Sequence, residues 1–98
     1  MGKNKSGDLF VCVSLNTVKK LGSRNAILLA TIEESGENYS EGGEVKCQTF
    51  IQNHEIKKLT GFSKSGIESG LRELKKQRVV KTKLTHTRDG ISRRITVL

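Results

Sequence analysis

The functional groups that cluster most clearly in this 98-residue chain are the cationic side chains of its lysines and arginines. Residues 49–98 hold twelve of them against four acidic residues, whereas residues 1–48 hold six of each kind. Residues 33–44, by contrast, carry five glutamates and no lysine or arginine. Guanidinium and ammonium groups attract phosphates and other anions, and their restriction to one half favours a single binding face over a generally basic surface. The net charge of +8 therefore predicts a polyanion site in the second half.

The sequence offers little for other kinds of chemistry. Cys12 and Cys47 lie too far apart in the chain to read as a metal-binding pair, and two cysteines do not make a disulfide framework. His54 and His86 have no serine, cysteine or carboxylate partners at a catalytic or metal-binding spacing. We therefore expect no enzymatic activity, no catalytic residue, no metal and no cofactor. No apolar run approaches the roughly 20 residues that span a bilayer, and no signal peptide is visible, which predicts a cytoplasmic protein.

Residues 53–76 have the pattern of two helices joined by a tight turn. Gly61 supplies the conformation that such a turn requires, and Ser63 is a good N-cap for the helix that follows. In that helix Ile67, Leu71 and Leu74 recur at i, i+4 and i+7, which predicts that this face is buried. The side chains predicted to bind, at the start and on the outward side of this helix, are Ser63, Lys64, Ser65, Ser69, Arg72 and Lys76.

Two glycines, Gly66 and Gly70, fall on one stripe of the same helix. Each costs about 1 kcal/mol relative to alanine in a helix interior. They indicate either a close approach of the backbone to a phosphate, a neighbouring helix or a subunit, or a helix that simply tolerates weak helix formers. The sequence leaves both alternatives open.

The end of the chain has the pattern of a β-hairpin. The dipeptide of Asp89 and Gly90 between two alternating stretches predicts a two-residue turn, because Asp-Gly readily takes the positive φ values that this turn needs. Such a turn places Leu84 opposite Ile95, so that apolar side chains share one face of the hairpin. The side chains predicted to bind from this hairpin are Lys81, Lys83, His86, Arg88, Arg93 and Arg94.

The remaining stretches complete an α+β fold. The segment from Ser23 to Glu34 predicts a largely buried helix, residues 36–44 an exposed acidic loop, and Val45 to Phe50 a strand. We expect one domain over residues 9–98, with three to four helices and the C-terminal hairpin, after a disordered tail at residues 1–8.

The segment from Asn53 to Val80, NHEIKKLTGFSKSGIESGLRELKKQRVV, strongly resembles the core of the winged helix-turn-helix superfamily, and the likeness extends over residues 24–98. The resemblance implies that the helix beginning near Ser63 enters the major groove of duplex DNA, while the hairpin, or wing, meets phosphates or the minor groove. Arg72 would then be the best candidate to hold guanine O6 and N7. Since the superfamily also includes RNA-binding and protein-binding members, a basic module for structured RNA or for an acidic protein is the alternative.

One position departs from the pattern of this superfamily. Members usually have glycine just before the first strand of the wing, where this chain has Arg78. The chain therefore either leaves the helix by another route or holds Arg78 in the left-handed conformation, from which its guanidinium could reach a phosphate.

A second resemblance covers residues 15–33. The stretches LNTVKKLG and NAILLATIE are similar to the centromere-binding adaptors of tubulin-like plasmid partition systems, and to the N-terminal winged-helix domains of plasmid replication initiators. This resemblance implies a homodimer that recognises repeated or paired half-sites in plasmid or phage partition, in replication or as an autorepressor. A partition or replication factor could dock at the acidic residues 33–44, for which a solvated loop is the alternative.

Overall fold

The computed structural model of the protein describes residues 11–88 and 90–98. Its elements in chain order are α1 Leu15–Leu21, α2 Ser23–Ser35, β1 Glu37–Glu41, β2 Glu44–Thr49, α3 Asn53–Thr60, α4 Lys64–Lys76, β3 Val80–Thr87 and β4 Gly90–Val97. The predicted α+β class is confirmed, with four helices in the described part of the chain. The tail predicted at residues 1–8 lies outside the described residues. Across the described ranges, no helix has the length and apolar character needed to cross a membrane.

Helices α3 and α4 form as the sequence predicts, because their ends carry strong local signals. Gln52 and Glu55 form a capping box at the start of α3, in which the backbone N–H of Gln52 donates to the Glu55 carboxylate at 3.0 Å. Gly61 ends α3 in the left-handed conformation, with φ of 78°. The hydroxyl of Ser63 caps α4 by accepting from the N–H of Gly66 at 3.1 Å.

The four strands form one antiparallel sheet in the order β1-β2-β4-β3. Strand β2 pairs with β4 through Cys47 opposite Val97 and Thr49 opposite Ile95, which joins two hairpins into one sheet. Helices α2, α3 and α4 supply most of the buried core and pack with the base of the second hairpin. The side chains at its centre are fully buried and aliphatic, namely Leu28, Ile32, Ile56, Ile67, Leu74, Val80 and Ile95.

The loop predicted at residues 36–44 is wrong, because most of this segment belongs to the hairpin of β1 and β2, which is the first hairpin of the chain. Strand β1 pairs with β2 along its length, and Gly42 and Gly43 make the turn with φ values of 61° and 84°. Two consecutive positive φ values are what a two-residue hairpin turn requires, and glycine adopts them without steric cost. The stretch from Glu37 to Glu41 lacks apolar alternation because it is an edge strand, where charged side chains are tolerated.

The predicted register of the second hairpin is also wrong, by two residues. Leu84 lies opposite Arg93 instead of Ile95, and Thr87 lies opposite Gly90. This register pairs Val80 with Val97 at the buried base of the hairpin, whereas the predicted one places Thr82 opposite Val97. Packing at the base therefore outweighs the Asp-Gly turn preference. A shift of two residues keeps every side chain on its predicted face, because side chains alternate with a period of two.

Gly70 lies where α4 crosses α2, and it is buried. A Cβ atom at this position would lie 2.6 Å from Leu28 Cδ2 and 2.9 Å from Asn25 Oδ1 of α2. At Gly66 the nearest such contact is the hydroxyl of Ser63 at 3.2 Å. The alternatives left open by the sequence are therefore separated: Gly70 permits a close helix approach, whereas nothing comparable constrains Gly66.

Candidate nucleic-acid interface

The outward stripe of α4 consists of side chains that recur at i, i+4, i+7 and i+11, namely Ser65, Ser69, Arg72 and Lys76. It lies opposite the face that buries Ile67 and Leu74 in the core. All four were predicted to bind, and all are exposed except Ser69, which is half-buried. The stripe thus presents hydroxyl and cationic groups together on the side of the helix farthest from the core.

The two acidic residues of α4 lie on its flanks and not on the outward stripe. Glu73 Oε2 accepts from Arg24 Nη2 of α2 at 2.6 Å. Glu68 lines a cavity towards the β3–β4 hairpin. The remaining predicted residues, Ser63 and Lys64, are exposed at the start of the helix. Since Glu73 is paired on one flank and Glu68 faces the other, the outward stripe itself contains no acidic side chain.

The predicted residues of the β3–β4 hairpin do not share one face. Lys81, Lys83 and Arg94 lie on the outer face of the sheet, away from the helices. His86 and Arg93 lie on the inner face, which continues that of the buried Ile95, while Arg88 follows β3 at the tip and is exposed. The hairpin therefore divides its positive charge between its two faces.

A pair of like charges marks the outer face of this hairpin. Lys83 lies directly opposite Arg94 on the neighbouring strand. Like charges at directly opposed positions of a sheet repel and destabilise it. Of the two side chains, Lys83 is exposed and Arg94 is half-buried.

Arg93 is held by the protein and is half-buried. Its Nη2 donates to the Asn53 side-chain oxygen at 2.8 Å and to the Ile51 carbonyl at 3.3 Å, both at the start of α3. Burial lowers the pKa of Arg93, and the carboxylate of Glu68 opposes that shift. An arginine remains charged at neutral pH under such conditions. Arg93 therefore fixes the hairpin against α3, and Asn53, a residue that the sequence did not single out, is its partner.

A cavity of about 220 Å³ separates α4 from the hairpin. The residues that line it come from both elements and are Glu68, Leu71, Arg72, Lys75, Thr82 and Arg93. Three of the six are cations and one is an acid, so the cavity is positively charged. Lys75 was not predicted as a binding residue. Its position four residues after Leu71, on the same flank of α4, could have indicated that it lines this cavity.

Arg78 adopts the left-handed conformation, with φ of 61°. The chain leaves α4 through a Schellman motif: the N–H of Arg78 donates to the Lys75 carbonyl at 3.0 Å, and that of Val79 to the Leu74 carbonyl at 2.9 Å. Glycine is the residue that normally occupies this position, since a side chain there costs on the order of 1–2 kcal/mol. Of the two routes that the sequence left open, the chain takes the strained one and keeps an exposed guanidinium beside α4.

The acidic and basic hairpins lie at opposite edges of the sheet. Strand β1, with Glu37, forms one edge, and β3, with Lys81 and Lys83, forms the other. The charge separation seen along the sequence is therefore a separation in space. Within the described ranges, no group of histidine, cysteine and carboxylate side chains could hold a metal ion, and both cysteines are free thiols.

Comparisons of the chain with protein-family models, with curated proteins and with solved structures gave no match. Its assignment therefore depends on the residues and geometry described above.

Proposed function

We propose that this chain is a winged helix-turn-helix protein that binds duplex DNA, with α4 in the major groove and the β3–β4 hairpin as the wing. The observation that carries the proposal is the outward stripe of α4, which has no acidic member and adjoins the cation-lined cavity beside the hairpin. Hydroxyl and guanidinium groups on an exposed helix are suited to base edges and phosphates. Arg88, exposed at the tip of the hairpin, is available for a phosphate contact by the wing.

The proposed active species is a homodimer on paired or repeated half-sites. Two copies related by a two-fold axis would place one α4 in each of two successive major grooves, about 34 Å apart. Helices α1 and α2 expose aliphatic side chains at Leu15 and Ile27, which are available to a second copy. This mode of binding suits each of the processes proposed from the sequence, namely plasmid or phage partition, replication and autorepression.

The test of this proposal is binding to a duplex selected from a random pool, measured at several salt concentrations. If about six cations displace counterions from phosphates, affinity should fall roughly 10³-fold between about 50 and 200 mM salt. The selected duplex should bind at least about 10³-fold more tightly than random duplex at equal salt. Equal affinity for selected and random duplex, together with tight binding of structured RNA, would favour the RNA-binding alternative instead.

Arg78 provides a separate prediction, since its conformation opposes folding and its charge would favour binding. Arg78→Gly should raise the free energy of unfolding by about 1 kcal/mol, because glycine adopts positive φ without steric cost. The same change should weaken binding to duplex DNA several-fold and reduce the salt slope by about one phosphate contact. Denaturant unfolding and titration at two salt concentrations measure the two effects.

Arg78→Asn is the matched control for this prediction. Asparagine tolerates the left-handed conformation but carries no charge, so it should weaken DNA binding as much as glycine does. If both single variants gain stability and keep the original DNA affinity, Arg78 does not contact the duplex.

A further inference from the structure

The tip of the β3–β4 hairpin exposes two aliphatic side chains. Leu84 is 65% exposed and Ile91 is 61% exposed, although Val80 and Ile95 on the same face are buried. Leu84 lies opposite Arg93, and Ile91 lies opposite His86, so Leu84 and Ile91 are diagonal neighbours across the two strands. Diagonal neighbours at about 7–8 Å are within reach of each other's long side chains. We refer to them as the aliphatic pair.

The aliphatic pair lies on the side of the hairpin that faces α4. Its face continues through Thr82 and Arg93, and both of these residues line the cavity that they share with Arg72 of α4. A duplex held by the outward stripe of α4 would therefore meet this face of the hairpin. Arg93 shares this face with the aliphatic pair and Arg88 is exposed at the tip, whereas Lys81, Lys83 and Arg94 lie on the opposite face of the hairpin.

We propose that the aliphatic pair packs against the deoxyribose edges of the minor groove, and thereby makes the protein selective for duplex DNA over duplex RNA. This inference rests on the proposed function. The walls of the DNA minor groove are formed largely by sugar C–H groups, against which aliphatic side chains exclude water. Leu and Ile side chains are among those that minor-groove proteins place in this groove. In duplex RNA the corresponding groove is wide and shallow and displays 2′-hydroxyls, which an aliphatic surface would leave without hydrogen bonds.

Charge argues against a second copy of this chain as the occupant of this face. Two hairpin tips packed face to face would bring the exposed Arg88 of one copy close to that of the other, and like charges in close contact repel. The exposed guanidinium of Arg88 complements the phosphates that border the minor groove. Duplex DNA satisfies both the charge and the apolar character of the tip.

The test is the double variant Leu84→Thr and Ile91→Thr in the full chain. Threonine keeps the strand preference of these positions, and both side chains are exposed, so Tm should stay within about 3 °C of the original. Affinity for the selected DNA duplex should fall about tenfold, which corresponds to roughly 1.4 kcal/mol. The salt slope should not change, because no cation is removed. The preference for DNA over an RNA duplex of the same sequence should fall in the same proportion.

Val45→Thr is the matched control, because Val45 is also an exposed aliphatic residue on a strand, but lies on the acidic hairpin. It should leave both DNA affinity and the DNA preference unchanged. If the double variant binds DNA as the original protein does while Arg72 variants do not, the aliphatic pair makes no DNA contact and the proposed function stands. If the double variant instead changes the sedimentation of the free protein, the pair is a contact between copies, which also overturns the inference. If Arg72 variants bind a selected duplex as well as the original does, the proposed role of α4 fails independently.

Discussion

Replacing Arg72 by lysine is expected to weaken binding to a selected DNA duplex by about 10- to 100-fold, while binding to random duplex stays nearly unchanged. Arg72 is exposed on the outward stripe of α4 and also lines the cavity beside the hairpin. A guanidinium in this place can donate two parallel hydrogen bonds to guanine O6 and N7. Lysine keeps the charge that attracts phosphates but cannot reproduce this fork. Titration of both duplexes at one salt concentration separates the two effects.

Arg72→Met and Lys19→Met complete the comparison. Arg72→Met removes the charge as well, so it should add a several-fold loss on random duplex to the loss of specificity. Lys19 is exposed on α1, and Lys19→Met makes the same change in net charge without touching α4. It should therefore leave the ratio of selected to random affinity unchanged. If Arg72→Lys keeps the full ratio, Arg72 does not read a base and serves only as a phosphate contact.

The outward stripe could be predicted from the sequence because a helix is a local structure. Ser63 caps α4, and the spacing of Ile67, Leu71 and Leu74 defines the buried face, so the opposite face follows from a period of 3.6 residues. None of these signals depends on distant parts of the chain. The departure at Arg78 could also be found from the sequence, by comparison with the pattern of the superfamily that it resembles. The sequence could not determine the φ value of Arg78.

The surroundings of Arg93 could not be predicted, because they depend on contacts between residues far apart in the chain. In the sequence Arg93 stands next to Arg94 in a basic strand, and nothing local distinguishes the two arginines as binding residues. In the fold the alternation of the strand separates them: Arg94 lies on the outer face, whereas Arg93 bonds to Asn53 and Ile51 at the start of α3. The strand period distinguishes the two faces but does not say which element packs against either one.

The two errors in the sheet have different origins: in the β3–β4 hairpin a local turn signal does not set the register, and in β1 a strand forms without a local strand signal. The local Asp-Gly signal predicts a turn at Asp89 and Gly90, but Val80 and Ile95 at the buried base determine the register. Strand β1 shows the converse case, because its polar sequence gives no strand signal and its pairing comes from the neighbouring β2. The preference of a residue for a strand depends on the surface against which that strand packs. The local sequence alone is therefore a weak guide to where strands form and how they pair.

Gly70→Ala is expected to lower the free energy of unfolding by roughly 1–2 kcal/mol. Alanine is the better helix former by about 1 kcal/mol, so propensity alone predicts the opposite sign. The added Cβ would lie 2.6 Å from Leu28 Cδ2 and 2.9 Å from Asn25 Oδ1, and both residues are buried, which limits how far their side chains can shift. Overpacking of this kind costs about 1–3 kcal/mol, which exceeds the gain in propensity. Urea unfolding monitored by circular dichroism measures the net effect.

Gly66→Ala is the internal control, since it makes the same substitution four residues earlier in the same helix. Its Cβ would approach only the hydroxyl of Ser63, at 3.2 Å, so stability should stay the same or rise by up to about 1 kcal/mol. Opposite signs for the two variants would establish that α4 depends on a close crossing with α2 at Gly70. Because that crossing orients the whole helix, Gly70→Ala should also weaken DNA binding, even though residue 70 lies on the buried face. If both variants gain stability and keep their DNA affinity, α4 merely tolerates two weak helix formers. The packing of α4 on α2 then accommodates the added methyl group at residue 70 without loss of stability.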